Sequence, residues 1–560
     1  MSTPDRRELF AAIAALGIGP VTFQRALAAR VADPPKPPTT VTAEMVEDAE
    51  WISGITLTED DRKEVARSLT ASLRGLTAAR AVALTNDVGP AIQFNPAPGA
   101  APYTGPRGTV TPSRVELKKP AKDDDLAFLP VTRLAHLLRT KQVSSVELTR
   151  LYLDRLRKYD PVLKCVISFT EDLATRQAKQ ADAELAAGID RGPLHGIPWG
   201  AKDLIAVPGY KTTWGAEQYK DQQVHLAATV AKRLEEAGAV LVAKLSLGAL
   251  AYNDAWFGGR TNNPWDVRQG SSGSSAGSAC AVAAGLVGFA IGSETLGSIV
   301  SPSTRCGVTG LRPTFGRVSR HGCMALAWTM DKLGPMARAV EDCALVLGAV
   351  HGADRLDPTA VDRPFTWPAK TPLSELRVGY VADDRKEDDR AELKVLKGLG
   401  VTLVPVTLPN RLAGMISGTI LNAEAGAAFD ELIRPGTLDK IGKLWPTSFR
   451  ASHFVTAVDY IRANRVRTLV MREMAKVMED VDLYVGGNDL VVTNLTGHPT
   501  VCLPNGLTKR NGVEVPTALT FTGRLYGEAE LLAVAKAYQD ATGHHLKRPP
   551  QDKWVAEAKG

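Results

Sequence analysis

The sequence predicts an α/β protein whose sheet is covered by helices, preceded by a separate helical region. Three observations carry this. From Phe128 onward, amphipathic helical stretches alternate with short apolar runs, as where residues 229–238 lead into Val240-Leu-Val-Ala-Lys244, and such alternation puts helices over a sheet. Helix starts are marked by capping residues followed by acidic first turns. A Pro/Gly-rich connection from Pro96 to Pro112 separates this part from an N-terminal part with helical spacing alone. Length alone, 560 residues, suggests two to four domains, although a large α/β enzyme can pack one core beyond the usual size.

In chain order, residues 1–95 read as a helical extension. Thr58-Glu-Asp-Asp opens a helix there, continued by apolar Val65, Leu69 and Leu73. Residues 1–29 admit two readings. Arg6-Arg7, an apolar run and Ala26-Leu-Ala28-Ala29 fit a twin-arginine export signal with a small-residue cleavage site. Asp5 and Glu8 beside the arginine pair, and Pro20 and Gln24-Arg25 within the apolar run, fit two short helices equally well. The expected compartment is therefore cytoplasmic or, with the signal, periplasmic or secreted.

Residues 96–124 read as a linker, and 125–550 as the α/β domain. Ser144 stands three residues before Glu147, the spacing of a capping box, ahead of a helix to about Tyr159. A second helix covers 181–187 and stops at Gly188, and residues 198–206 form a strand and turn. Residues 376–381 and 401–405 read as strands, and 457–477 as a long arginine-rich helix. Residues 519–523 and 528–538 give a closing strand and helix, and 551–560 a tail.

Composition narrows the function classes. Hydrophobic residues are 44% and charged residues 23%, and 67 Lys+Arg against 61 Asp+Glu leave +6, which is ordinary for a globular protein. The cluster Lys118-Lys119-Pro-Ala-Lys122 runs straight into Asp123-Asp124-Asp125, a solvated linker rather than a nucleic-acid patch. Six cysteines form no Cys-x-x-Cys pair, so neither a zinc site nor a disulfide framework is indicated. No run reaches the roughly 18 apolar residues that span a bilayer.

The chemistry concentrates in Gln269-Gly-Ser-Ser-Gly-Ser274-Ser-Ala-Gly-Ser-Ala-Cys and, further on, Ser-Glu294-Thr-Leu-Gly-Ser298-Ile-Val. A flexible spacer would stay polar, whereas this stretch passes directly into Ala-Val-Ala-Ala-Gly-Leu-Val. Upstream stands His195-Gly-Ile-Pro-Trp-Gly-Ala-Lys202-Asp203, and downstream Gly310-Leu-Arg-Pro-Thr-Phe-Gly-Arg-Val-Ser319 and Asp331-Lys-Leu-Gly-Pro335. In this order and spacing the motifs resemble the amidase signature family. Its fingerprint is a Gly-x-Pro-x-x-x-Lys-Asp lysine, a Gly-Gly-Ser-Ser-Gly-Gly-Ser loop and a Gly-Gly-Ser-Ile-Arg nucleophile. The resemblance runs from about Asp125 to Pro550 and takes in Asn494-Leu-Thr-Gly-His-Pro-Thr-Val-Cys-Leu-Pro504. It implies a large mixed β-sheet with helices on both faces.

The resemblance also implies roles. Ser298 would be the nucleophile, Ser274 a bridging serine after a cis peptide bond, and Lys202 the terminal base, with the backbone N–H groups of Thr295, Leu296, Gly297 and Ser298 as the oxyanion hole. A serine hydroxyl needs such a base, and Lys202 can serve only if burial keeps it neutral. Ile197, Pro198, Trp199, Ile205 and Val207 are suitable apolar neighbours. The competing view of Lys202 is an exposed lysine or an ion pair with Asp203. No cofactor or metal is expected. The expected partner is a small amide, or a carbamate or ester, with neither nucleic acid nor a membrane span, and a homodimer is left open.

Other schemes fit worse. Gly273-Ser-Ser275-Ala-Gly277 has the spacing of a serine-hydrolase elbow, with His195 or His321 as nominal bases, but the preceding 266–272 segment is too polar for the buried strand such an elbow needs. The chain also departs from the family pattern. Leu296 stands where glycine is usual and could restrict the turn. Val300 replaces an arginine that would pair with the acidic residue at 294, with Arg305 as the candidate substitute. The leading expectation is a stand-alone amidase. The alternatives are the glutaminase subunit of a glutamyl-tRNA(Gln) amidotransferase, a carbamate or ester hydrolase, and an inactive binding protein.

Overall fold

The computed structural model describes residues 40–82, 92, 105–382, 387–433, 444–487 and 489–557. The export-signal reading of 1–29 lies outside the described residues, as do residues 96–104 of the linker.

Among the described residues eleven strands form one mixed sheet. In chain order they are β1 (Val166–Phe169), β2 (Pro198–Lys202), β3 (Val240–Leu245), β4 (Phe289–Glu294), β5 (Thr309–Arg312), β6 (Lys332–Ala337), β7 (Arg377–Val381), β8 (Thr402–Val406), β9 (Leu483–Val485), β10 (Thr500–Arg510) and β11 (Val513–Gly523). Across the sheet they run β1-β3-β2-β4-β6-β5-β10-β11-β9-β7-β8. The pairs β2–β3, β2–β4, β7–β8 and β7–β9 are parallel and the others antiparallel.

Side chains alternate across a strand, and here both faces are dry. On β3, Leu241 joins Trp199, Phe289 and Ile291 in one apolar cluster, while its neighbours Val240 and Val242 join Val287 and Ala290 in another. Helices supply the opposing walls, so the expected sheet with helices on both faces is present. Trp199 and Phe289 are register partners on β2 and β4 and stack with ring centroids 6.0 Å apart. That pairing fixes how far the C-terminal ends of the two strands project together, and the site lies at those ends.

The expected helices form with their caps. Helix α1 (Ala43–Ser53) is followed by α2 (Glu59–Ala81), whose cap is Thr58 accepting from the Asp61 N–H at 3.2 Å. In α3 (Ser145–Leu163) both halves of the Ser144/Glu147 capping box are made, at 3.0 and 2.7 Å. Next come α4 (Ala276–Ala283), α5 (Val300–Cys306), α6 (Asn410–Ala428), α7 (Leu444–Ser452), α8 (Ala457–Asp480) and α9 (Leu490–Thr496). In the α1–α2 hairpin, α2 lies against α6, α7 and α8. Gly75 lets α2 approach closely, since a Cβ there would stand 3.0 Å from the Met415 carbonyl oxygen. Asp61 pairs with Arg450 at 2.5 Å, and Arg462 donates to the carbonyls of Ala79 and Val82.

Residues Gln551–Glu557 form a further helix. Trp554 in it is buried, donates to the Pro264 carbonyl at 2.8 Å and meets the Tyr159 ring edge-on. Among the described residues no helix is long and apolar enough to cross a membrane.

Candidate active site

Lys202 ends β2 and is fully buried. Its Nζ lies 2.8 Å from Ser274 Oγ, 3.0 Å from Ser275 Oγ, 2.9 Å from Ser293 Oγ and 3.3 Å from the Ser293 carbonyl oxygen. All four contacts are uncharged, and burial drives the amine's pKa down to about 7, against a smaller upward pull from Asp331 and Glu294. Neither half of the competing view holds: Lys202 is not exposed, and it makes no ion pair with Asp203. Successive residues leave a strand end in different directions, and Asp203 pairs instead with buried Lys244 at 2.6 Å while accepting from the Thr213 N–H and hydroxyl.

The Gly/Ser stretch is an ordered loop leading into α4. The Gly273–Ser274 peptide is cis. Gly273 is required by space, since a Cβ there would fall 1.7 Å from the Asn253 carbonyl oxygen. Ser274 is buried and points at Lys202. Ser275 is not on a hydrolase elbow. Its hydroxyl donates to the Ser293 carbonyl at 3.0 Å and accepts from the Ser293 N–H at 3.1 Å, tying the loop to β4. His195, a nominal base for such an elbow, is buried elsewhere against Arg191 and Glu184.

Ser298 follows β4 in the turn before α5 and is half-buried. The Ser275 N–H donates to the Ser298 carbonyl at 3.2 Å, so the loop bearing Ser274 and the turn bearing Ser298 are joined backbone to backbone. The two hydroxyls of Ser274 and Ser298 are not hydrogen-bonded to each other. Hydrogen bonds of this kind are often long without substrate.

The turn itself answers the question raised by Leu296. The left-handed conformation falls on Gly297, at φ 88°, and not on Leu296, so a side chain at 296 meets no backbone penalty. That side chain packs partly buried against an apolar cluster with Ile416, Ile420 and Val492. Among the described residues the N–H groups of Leu296, Gly297 and Ser298 have no partner within the protein.

Glu294 anchors the turn. One carboxylate oxygen accepts from the N–H groups of Ile299 and Val300 at 2.8 and 2.9 Å, at the start of α5. The other accepts from Arg312 at 2.7 Å and from the Asn494 amide at 2.8 Å. Burial alone would raise this carboxyl, but Arg312 and Lys332 pull it down to about 2. The substitute for the arginine missing at 300 is therefore Arg312, on β5 across β6 from β4, and not Arg305. Arg305 turns away to Gln269 and the Gly270 carbonyl.

Beside this network is a cavity of about 330 Å³ whose wall includes Ser293 and Thr295. Trp328 lines it. Trp214 packs on Tyr219 and Phe429, Tyr252 on Trp445, Trp256 on Phe257, and Ile420 is in the core.

Residues 147–486 match the family model described as Amidase. The chain belongs to the amidase signature family. It is similar to a glutamyl-tRNA(Gln) amidotransferase subunit from Marinomonas sp. (strain MWYL1), 33% identical over 484 residues that cover 76% of this chain and 99% of that one. Among solved structures it is similar to the peptide amidase from Stenotrophomonas maltophilia, with a TM-score of 0.65 at 29% identity over 75% of this chain and 98% of that one. A bacterial aryl acylamidase of the amidase signature family shares the fold, with a TM-score of 0.66 at 21% identity, covering 76% and 99% of the two chains. In this amidase signature chain the α1–α2 hairpin precedes the part that matches the family model.

Proposed function

We propose that the chain hydrolyses the C–N bond of a linear carboxylic amide through an acyl-enzyme on Ser298. The observation that carries this is a buried amine, held to a pKa of about 7, 2.8 Å from Ser274 Oγ, on a loop bonded to the turn that presents Ser298. Ser298 Oγ attacks the carbonyl carbon and passes its proton to Ser274 Oγ, whose own proton moves to Lys202 Nζ. Negative charge on the carbonyl oxygen is met by the N–H groups of 295–298. Fixed donors of this kind are worth about 3 kcal/mol each in a dry site. As the C–N bond breaks, Ser274 returns a proton to the departing amine, and water then attacks the ester on Ser298 by the same relay.

Ser298→Ala tests this. The variant is expected to lose amide turnover and labelling by a fluorophosphonate probe while keeping its folded circular dichroism spectrum. Turnover retained in that variant would remove Ser298 from the mechanism.

A second reading is supported by the relative named as an amidotransferase subunit: the same relay would release ammonia from glutamine for a partner protein. Glutaminase activity that rises on adding a co-purifying protein would favour it. An ester or carbamate would be cleaved by the same steps, and matched substrates separate these from the amide.

A further inference from the structure

The 330 Å³ cavity beside Ser293 and Thr295 is within the size range of small-molecule sites. Its wall carries Leu204, Met324, Leu326, Trp328, Leu333 and Leu356. Two of these keep much of their surface uncovered: Trp328 is 47% and Leu356 58% exposed. Large apolar side chains left open around a concavity mark a surface that a ligand covers.

Trp328 is also held in place. Its carbonyl accepts from Arg320 at 2.6 Å. The next residue, Thr329, donates its N–H and hydroxyl to Glu424 at 2.9 and 2.7 Å, and its hydroxyl and carbonyl accept from Arg467, each at 2.7 Å. On the other side, Asp331 accepts from the N–H groups of Leu326 and Ala327 at 2.8 and 3.0 Å. The backbone on both sides of Trp328 is fixed before any ligand arrives, which lowers the entropy lost on binding.

The charged residues of the wall are already engaged. Arg320 holds Asp357 through Nε at 3.0 Å and NH2 at 3.3 Å, and reaches Thr359 Oγ1 at 2.7 Å. Asp331 also accepts from Thr295 Oγ1 at 2.6 Å. Lys332 donates to Asn494 Oδ1 at 2.7 Å and is almost wholly buried. His321 adds an imidazole. A zwitterionic ligand placed here would have to displace these hydrogen bonds to replace the water lost from its ammonium and carboxylate, and that loss is large.

We infer that the cavity takes the acyl portion of a neutral amide with an apolar, arylalkyl side chain, and that Trp328 is a specificity-determining residue for it. This rests on the reading of Ser298 as nucleophile and selects against glutamine. The relevant comparison is 3-phenylpropanamide against glutamine. The two share the CH2-CH2-CO-NH2 group, and a phenyl ring replaces the carbon that bears ammonium and carboxylate.

Ammonia release by the full-length protein is measured for both, in wild type and Trp328→Ala, with Ser298→Ala as blank. The expected result is a kcat/KM for 3-phenylpropanamide at least about tenfold above that for glutamine, with a loss of about tenfold or more in Trp328→Ala for the phenyl substrate alone. Glutamine turned over as well as or better than its phenyl analogue, by a reaction that Ser298→Ala abolishes, overturns the substrate assignment and leaves the nucleophile standing. If neither amide is turned over, calorimetric binding to Ser298→Ala decides. Saturable binding of 3-phenylpropanamide, weaker in Ser298→Ala/Trp328→Ala and absent for glutamine, upholds the cavity's assignment while the hydrolytic reading fails. Absence of binding overturns the assignment as well.

Discussion

Lys202 Nζ and Ser274 Oγ stand 2.8 Å apart with neither residue open to solvent. A protonated amine there would carry its charge among three hydroxyls and a carbonyl, with no carboxylate bonded to it. Burial therefore favours the neutral form, which is the form that can accept the Ser274 proton.

Lys202→Met keeps the apolar stem and removes the amine. Loss of a positioned base typically costs about 10²–10⁴-fold in rate, and kcat/KM for any amide substrate is expected to fall within that range. Stability should move the other way, with a sign that pH reveals. The folded-state pKa of about 7 lies below the ordinary lysine value of 10.5, so as pH falls from 10.5 to 7 the unfolded chain takes up a proton that the folded chain refuses. Lys202 thus costs stability over that window, and the cost is complete below pH 7. Thermal melts should show the Tm of Lys202→Met minus that of wild type growing from pH 10 to pH 6.5. A constant difference would mean that Lys202 titrates normally.

Arg312 and Arg305 are both near the turn that bears Ser298, and only Arg312 touches Glu294. Arg312→Met leaves a buried carboxylate without its cation, which typically costs about 3–5 kcal/mol. Arg305→Met removes contacts at a half-buried site and should cost less than about 1 kcal/mol. Urea denaturation of the two variants separates the cases. Equal losses would contradict the pairing.

At Gly75 the α2 backbone meets α6, with space for a Cβ only 3.0 Å from the Met415 carbonyl oxygen. Gly75→Val should push α2 outward, at a cost of about 1–3 kcal/mol for an overpacked contact. Limited trypsin digestion is the check, since Arg62, Lys63 and Arg67 lie on the loosened helix. Faster cleavage there is expected, and an unchanged pattern would show that the hairpin does not rest on that contact.

The sequence disclosed what depends on local order. The Ser144 and Thr58 caps and the strand at Lys202 follow from neighbours in the chain, and the cis Gly273–Ser274 bond is what the family resemblance implies. Partners brought in by strand register were not legible. Arg312 reaches Glu294 because β4 and β5 both pair with β6, and Asn494 joins them from 200 residues away. Ser275 and Ser293 as neighbours of Lys202 were equally hidden. Ser275 entered only through the elbow spacing, and nothing near Ser293 in sequence reports that the β2–β4 register brings it to the amine. Trp328 was not legible as part of the cavity wall, because Glu424 and Arg467, which hold the next residue, Thr329, are distant in sequence.

The pH dependence of the rate at which a fluorophosphonate labels Ser298, read by mass spectrometry of the intact protein and its peptides, tests the relay most directly. A single adduct on Ser298 is expected, with a rate that rises with pH to a half-maximum near 7, as a buried amine of that pKa becomes able to accept a proton. The rise should vanish in Lys202→Met. Label on another residue, a half-maximum near 10, or an undiminished rate in Lys202→Met would contradict the relay.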